Sequence, residues 1–465
     1  MSTVVATNSS SFRDPSGFIF EKEGVLYRQV NVVFKDDFNR FIESGCYEKL
    51  VTDGLLIPHQ PVNENLTSRN DWFTTLLPEK INFISYPSEW SFDMLKDAAL
   101  LTLQLVKESI PFGLLLKDAT PYNIQWHNGK LIFIDTLSFE KYVESQPWIA
   151  YRQFCETFLG PLLLMHYHKM PMQELYSAYP EGVPLAVTST LLPLKSRLSL
   201  HTYLHIFLHA RISGSNRKPN NARGGFSKQK LLNLVESLEL LVKKLKLSPG
   251  SSTWSGYYGE ASQRSDYLEK KKEIISRWLQ QLPGLTTCAD VGANEGEFSQ
   301  LAANLGIKTL AADFDARCIN RLYQKIKLSR EKNLQPIVLD VANPSGASGV
   351  NNEERKSFLQ RANTDIVLAL ALLHHLVIGK NIPFPMVAGF FNRITRNLII
   401  EFIPKEDEKI QLMLMNKKDI YDQYQVVNFE NDFSRYFSIE KKEMIGDSGR
   451  ILYFMKRIVH VQIPS

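Results

Sequence analysis

Residues 287–306 read TCADVGANEGEFSQLAANLG, and this stretch decides the fold of the C-terminal half. An apolar run closing on Val291 has the character of a buried strand, and Gly292-Ala293-Asn294-Glu295-Gly296 turns it into a helix. Glycines at a strand-to-helix turn let the backbone approach a ligand closely and leave free amides at the helix N-terminus. A structural turn uses glycine too, so the elements downstream carry the decision. The strand TLAAD ends in Asp313, 21 residues after Gly292, where a carboxylate can grip two ribose hydroxyls. A third strand, PIVLD, ends in Asp340. DIVLALALLHHL (365–376) and LIIEFIP (398–404) continue the strand–helix alternation of a parallel α/β sheet.

The order DVGANEGEF, AADFD, VLDV, DIVLALALLHHL, with Asp290 two residues before the first glycine, resembles the class I S-adenosylmethionine-dependent methyltransferases. A nicotinamide enzyme more often shows G-x-G-x-x-G, which Gly292 to Gly296 do not match. The resemblance covers roughly the last 180 residues. It implies a Rossmann-like seven-stranded sheet closed by an antiparallel pair, here FSIEKKEMIG and RILYFMKR. It also implies S-adenosylmethionine as cofactor, with Asp290, Gly292 and Gly296 at its methionine part, Asn294 in the same turn, Asp313 at the ribose and Asp340 at the adenine. The alternative is a doubly wound domain that binds some other nucleotide.

The segment after the fourth strand bears on the acceptor. Enzymes that methylate nucleobase amino groups or glutamine amides usually carry N/D-P-P-Y there; this chain has Ala371-Leu372-Leu373-His374-His375. A His-His pair is common among small-molecule methyltransferases. His374 or His375 is therefore a candidate base for a hydroxyl acceptor, and a structural histidine is the equal alternative. Glu401, at the end of the fifth strand, is a similar candidate whose alternative is a partner for a nearby lysine. The expected reaction is O- or N-methylation of a small-molecule or glycan-type acceptor.

A second constellation lies in LLLKDATPYNIQWHNGKLIFIDTLSFE (114–140). Asp118 is followed five residues later by Asn123, and Asp135 comes 12 residues further on, past a hairpin signalled by Asn128-Gly129. This resembles the catalytic segment of kinase-like and aminoglycoside-phosphotransferase-like folds, in which an Asp orients the acceptor hydroxyl and an Asn and a second Asp bind magnesium. The chain departs from that pattern. Leu116 stands where His is usual, Thr136 follows Asp135, no glycine-rich phosphate loop appears, and only Arg28 and Lys35 lie near the expected lysine. The resemblance implies a degenerate kinase-like α+β domain that shapes acceptor or nucleotide binding. The alternatives are Mg-ATP phosphoryl transfer there, a helper domain whose Asp and Asn residues cap turns, or a silent binding scaffold. LKDATPYNIQ, FIDTLSFE, PWIAYRQFC and EFIPKED together resemble bacterial two-part methyltransferases related to the NoeA nodulation protein.

Around these segments we expect a disordered lead-in over 1–17, a kinase-like domain over 18–247, a linker over 248–259 and the methyltransferase domain over 260–465. The first domain should open on a hairpin (18–33) turning near Gly24, followed by a helix around 36–52, irregular chain over 53–90 and a helix over 91–110. A mainly helical stretch, 148–247, is interrupted by a polar loop at 213–225. Four widely spaced cysteines in 465 residues exclude a disulfide framework or standard zinc module, and no metal is expected. A net charge of +5 does not argue for nucleic acid. The N-terminus lacks the order of a signal peptide, and no apolar run reaches the ~20 residues of a membrane span. A cytoplasmic chain without a membrane partner is expected.

Overall fold

The structure is a computed structural model that describes residues 7–213, 226–248, 265–415 and 417–458. Beyond Ser213 and Ser248, the expected polar loop and linker lie outside these residues. The chain divides into two compact units, Met1–Gly250 with Ala347–Lys356, and Ser251–Gly346 with Ser357–Ser465.

The first unit opens with the expected hairpin. Strands β1 (Gly17–Lys22) and β2 (Val25–Asn31) pair antiparallel from Gly17↔Val30 to Lys22↔Val25, with Glu23 and Gly24 both at positive φ in the turn. The sheet then extends where irregular chain was expected. Strands β3 (His59–Val62) and β4 (Trp72–Pro78) complete the order β1-β2-β4-β3. Pro61 is tolerated because β3 is an edge strand, paired only with β4. The helix expected around 36–52 is two, α1 (Lys35–Glu43) and α2 (Cys46–Thr52), broken at Gly45, whose φ of 82° leaves the helical region. The lead-in is also corrected. From residue 7 on it is tied down by Asn8 N–H donating to Ile19 O (2.8 Å) and by the Asn31 side-chain amide donating to Pro15 O (2.9 Å).

Helix α3 (Phe92–Ser109) buries most of its length. Short strands β5 (Leu114–Leu116) and β8 (Phe139–Lys141) pair, as do β6 (Ile124–His127) and β7 (Lys130–Phe133) around Asn128-Gly129. Leu137 inserts among Val30, Phe34, Phe38 and Leu76, joining this segment to the first sheet. Gly17 is required at that junction, because a Cβ there would lie 2.1 Å from Gln29 O and 2.7 Å from Leu137 Cδ1. Helix α4 (Lys228–Lys244) packs on α3, and Lys96 donates to its terminal carbonyls Lys243 O (2.9 Å) and Leu245 O (2.8 Å).

The second unit carries one seven-stranded sheet of order β11-β10-β9-β12-β13-β15-β14. Its strands are β9 (Thr287–Val291), β10 (Lys308–Asp313), β11 (Leu334–Val338), β12 (Thr364–Ala369), β13 (Thr395–Phe402), β14 (Phe437–Met444) and β15 (Ile451–Arg457). The first five are parallel; β15 runs antiparallel to both β13 and β14, giving the expected closing pair. Helix α5 (Ser265–Gln280) packs Ile274, Ile275 and Trp278 against Cys288, Ile366 and Ile399. Fully burying each such side chain stabilises the unit by about 1.5–3 kcal/mol. The four cysteines are free and buried.

Candidate functional site

Strand β9 sits where chain order reverses, with β10 on one side and β12 on the other. Ligands of open α/β sheets bind in the crevice beyond the carboxyl ends of the strands at such a point. A cavity of about 470 Å³ opens there, and its lining includes Asp290, Gly292, Asn294, Asp313, Asp340 and His375.

The turn after β9 is locked to β10. Gly292 and Ala293 N–H both donate to Ala312 O, at 2.8 and 3.0 Å. Asn294 N–H donates to Asp313 Oδ2 (2.8 Å), and Asp315 N–H to Asp313 Oδ1 (2.8 Å). Backbone amides thus orient the Asp313 carboxylate towards the cavity wall. Burial pushes Asp313 up to about 6 despite these bonds. Asp290 is buried too and accepts from Ser299 Oγ (2.6 Å); burial again dominates and lifts it to about 6. Asp340 lies two residues past the end of β11, where its Oδ1 accepts from Ala342 N–H (2.9 Å) and its other oxygen is 3.9 Å from Lys380 Nζ.

Gly292 lines the cavity with φ at 85°, and a Cβ there would reach Leu372 at 3.4 Å. Gly296 does not line it. A Cβ at Gly296 would lie 2.7 Å from Leu322 Cδ1, so this glycine, expected at the cofactor, is demanded by packing. Of the histidine pair, His375 lines the cavity, and burial lowers it to about 4. His374 is sealed beneath it, 2% exposed, with ring centroids 4.0 Å apart and Nδ1 lacking a hydrogen-bond partner. A buried ring off the cavity cannot reach an acceptor, so His374 is corrected from candidate base to structural residue.

Glu401 is corrected likewise. It is wholly buried, and its oxygens accept from Lys271 Nζ (2.6 Å), Tyr267 OH (2.5 Å) and Ala371 N–H (2.8 Å). Burial alone would raise its pKa, but the Lys271 and Arg450 charges outweigh that and hold it below the usual range. Arg450 in turn forms a bidentate pair with Asp407 at 2.8 and 3.1 Å. Glu401 therefore positions the loop after β12, where Ala371 adopts φ of 51° despite its Cβ.

Sequence reasoning missed Tyr267, Lys271, Phe314 and Lys380, all on the cavity wall. Lys271 is one of three consecutive lysines, and nothing in the sequence marks it as buried. Phe314, exposed and directly after Asp313, could have been flagged as an aromatic beside a ribose-type carboxylate.

In the first unit Asp118, Asn123 and Asp135 meet in one network. Asn123 Nδ2 donates to Asp118 Oδ2 (3.1 Å) and to Ser138 Oγ (3.5 Å), and Ser138 Oγ donates to Asp135. Gln153 Nε2 donates to the other Asp118 oxygen at 2.5 Å. Asp135 pairs with Arg28 of β2 and caps Leu137 N–H (3.2 Å). Burial and the nearby Asp135 charge raise Asp118; burial would raise Asp135 too, but Arg28 outweighs it and holds Asp135 low. Among the described residues no group of three His, Cys, Asp or Glu side chains could hold a metal ion.

The fold and site define a two-unit protein whose second unit is a doubly wound α/β domain with a cavity at its switch point. The chain belongs to the family of the nodulation protein NoeA: NoeA of Rhizobium meliloti (strain 1021) is 33% identical over 463 residues, covering 97% of this chain and 96% of that one. No family model matches. Among solved structures, magnesium protoporphyrin IX methyltransferase (ChlM) from Synechocystis PCC 6803, with bound SAH, is 18% identical over 45% of this chain and 90% of its own, with a TM-score of 0.31. The bifunctional kinase-methyltransferase WbdD is 17% identical over 42% and 39%, with a TM-score of 0.27.

Proposed function

We propose that this protein transfers a methyl group from S-adenosylmethionine to an oxygen or nitrogen of a small-molecule or glycan-type acceptor. The observation that carries the reading is the meeting, in one cavity, of the Gly292 turn with carboxylates from the ends of β9, β10 and the segment after β11. The residues fit the cofactor. Gly292 leaves the wall open, the Asp313 carboxylate suits two ribose hydroxyls, and Asp340 is exposed enough to accept from an amino group. Phe314 adds a flat apolar surface beside Asp313.

When bound, the cofactor supplies an electrophilic methyl carbon on a sulfonium. The protein's share is then chiefly alignment, since holding two reactants in line removes much of the barrier. His375 is neutral at pH 7 because burial lowers it, so it can accept a hydrogen bond from an acceptor hydroxyl. The same burial makes it a weak base, which suits orienting that hydroxyl more than removing its proton early. Phosphoryl transfer in the first unit is disfavoured, because Asp135 spends its charge on Arg28.

Calorimetry tests the reading. Wild-type protein should bind S-adenosylmethionine or S-adenosylhomocysteine at micromolar level. Asp313→Ala should lose about 1.5–3 kcal/mol of that binding, the worth of a hydrogen bond to a charged group. Undiminished affinity in the variant, or none in the wild type with binding of Mg-ATP instead, would overturn it.

A further inference from the structure

One surface of the first unit inverts the usual polarity of a helix. The run 200–213 comprises Leu200–Thr202, the wide-turn segment Tyr203–Leu208 and His209–Ser213. Its inward face is fixed by polar bonds. His201 Nδ1 and His205 Nε2 each lie 2.8 Å from Ser237 Oγ on α4, and Tyr151 OH lies 2.8 Å from His205 Nδ1. Thr202, His205 and Ile206 are buried. Leu200, Tyr203, Leu204 and Arg211 therefore point outward, at helical spacing, with Leu200 67% exposed. The preceding turn adds Leu194 at 76% and Leu198 at 88%. A single exposed leucine is ordinary; several on one short stretch mark a surface that something covers.

The exposed charged residues among these leucines are basic. Lys195, Arg197 and Arg211 are exposed among them, and none forms an ion pair among the described residues. Arg197 instead lies 4.8 Å over the Phe207 ring, and Lys195 lies 6.0 Å over Tyr167. From residue 182 to 235 the sequence holds no Asp or Glu and eight Lys and Arg. A second copy of the chain would fit poorly, because a two-fold interface sets each patch against itself, with Lys195, Arg197 and Arg211 facing cations. Nucleic acid would satisfy the charge but not the leucines, which have no stacking role.

We propose that this face docks on an anionic phospholipid bilayer, with the leucines and Tyr203 entering the headgroup boundary and Lys195, Arg197 and Arg211 meeting lipid phosphates. Apolar residues flanked by unpaired Lys and Arg are the chemistry of helices that lie in a membrane interface. No helix among the described residues is long and apolar enough to cross a membrane, so the attachment is in the plane. This goes beyond the sequence expectation of no membrane partner, and it stands or falls independently of the methyl-transfer reading.

The experiment is flotation of the full chain with vesicles of phosphatidylcholine alone and of phosphatidylcholine mixed with phosphatidylglycerol. Protein should float with the mixed vesicles only, and raised salt should release it, since screening shortens from about 8 Å at physiological strength to about 3 Å at 1 M. Leu198→Ser/Leu200→Ser/Leu204→Ser should abolish flotation. Lys195→Gln/Arg197→Gln should weaken it about fivefold per cation, about 25-fold together. All five positions are exposed, so circular dichroism and melting of both variants should match wild type; were the leucine variant to misfold, the charge variant decides alone. Absence of flotation, or equal flotation on neutral vesicles, overturns the proposal. So does a dimer on gel filtration that the leucine variant splits, because a second copy then covers the face.

Discussion

Replacing Glu401 by Ala should be among the most damaging single changes to the second unit, although Glu401 lies off the cavity lining. Its side chain is fully buried, and Lys271 and Arg450 are each 4% exposed. Removing the carboxylate leaves the Lys271 ammonium in the core without its partner, 2.6 Å away in the native chain. Breaking a buried pair by deleting one partner costs about 3–5 kcal/mol. Ala371 N–H and Tyr267 OH also lose their acceptor, and an orphaned buried donor costs a further ~1–3 kcal/mol. The expected loss is about 4–6 kcal/mol, because the two costs share one site and do not fully add. Urea denaturation followed by circular dichroism measures it. Lys271→Met/Glu401→Gln, which leaves no lone buried charge on either residue, should stand much nearer wild type than Glu401→Ala. Because cations hold Glu401 below its usual pKa, its contribution is present above about pH 4.5 and lost on acidification. A Glu401→Ala loss under about 1 kcal/mol, or a double variant as damaged as the sum of its singles, would refute the network. A base at Glu401 would show the opposite pattern, with Glu401→Gln dead in turnover and unchanged in denaturation.

The same electrostatics governs two other outcomes. Arg28→Met should destabilise the first unit by about 1–3 kcal/mol by stranding the partly buried Asp135, and Arg28→Met/Asp135→Asn should recover much of it; a single variant with wild-type urea midpoint contradicts this. Asp290 and Asp313 sit near 6 against 3.8 in the unfolded chain, so the folded state holds their protons more tightly. Their contribution is complete below about pH 4 and is lost as pH rises through 6, a loss of about 3 kcal/mol for each group. Asp313→Asn should flatten the stability profile between pH 4 and 6.5, and an unaltered slope would show that burial does not perturb this group.

The central sheet was legible because its signals are local. Continuous apolar strands, a glycine turn and aspartates at strand ends all lie within short windows, and β14 alternates clearly. Strands β3 and β4 were not legible, because Pro61 and Pro78 mask short edge pairing that only β2 stabilises from outside the segment. The break at Gly45 was signalled by the Ser44-Gly45 pair, a helix-ending glycine whose positive φ the structure shows. Site roles failed where a partner was distant in sequence. Lys271 precedes Glu401 by 130 residues, and Leu322 follows Gly296 by 26. A motif fixes which residues could meet a ligand; long-range packing decides which of them are already taken.

That distinction can be drawn physically across both units. Glu401 is a buried carboxylate matched by buried cations, and Asp135 is a partly buried one matched by the partly buried Arg28, so their charge is spent within the protein and their pKa values lie low. Asp290 and Asp313 are as deeply placed, yet neither forms an ion pair, and burial leaves both raised on the wall of a cavity. A carboxylate desolvated without a protein cation carries a cost that persists in the native state unless a ligand's donors offset it. The two pairs therefore differ in kind: the charge of the first is offset within the protein, and that of the second is not. Asp118 is raised by burial and by Asp135, with Gln153 and Asn123 as its donors and no ion pair among the described residues. By the same criterion Asp118, not Asp135, is the member of the first unit's constellation whose charge no ion pair offsets among the described residues.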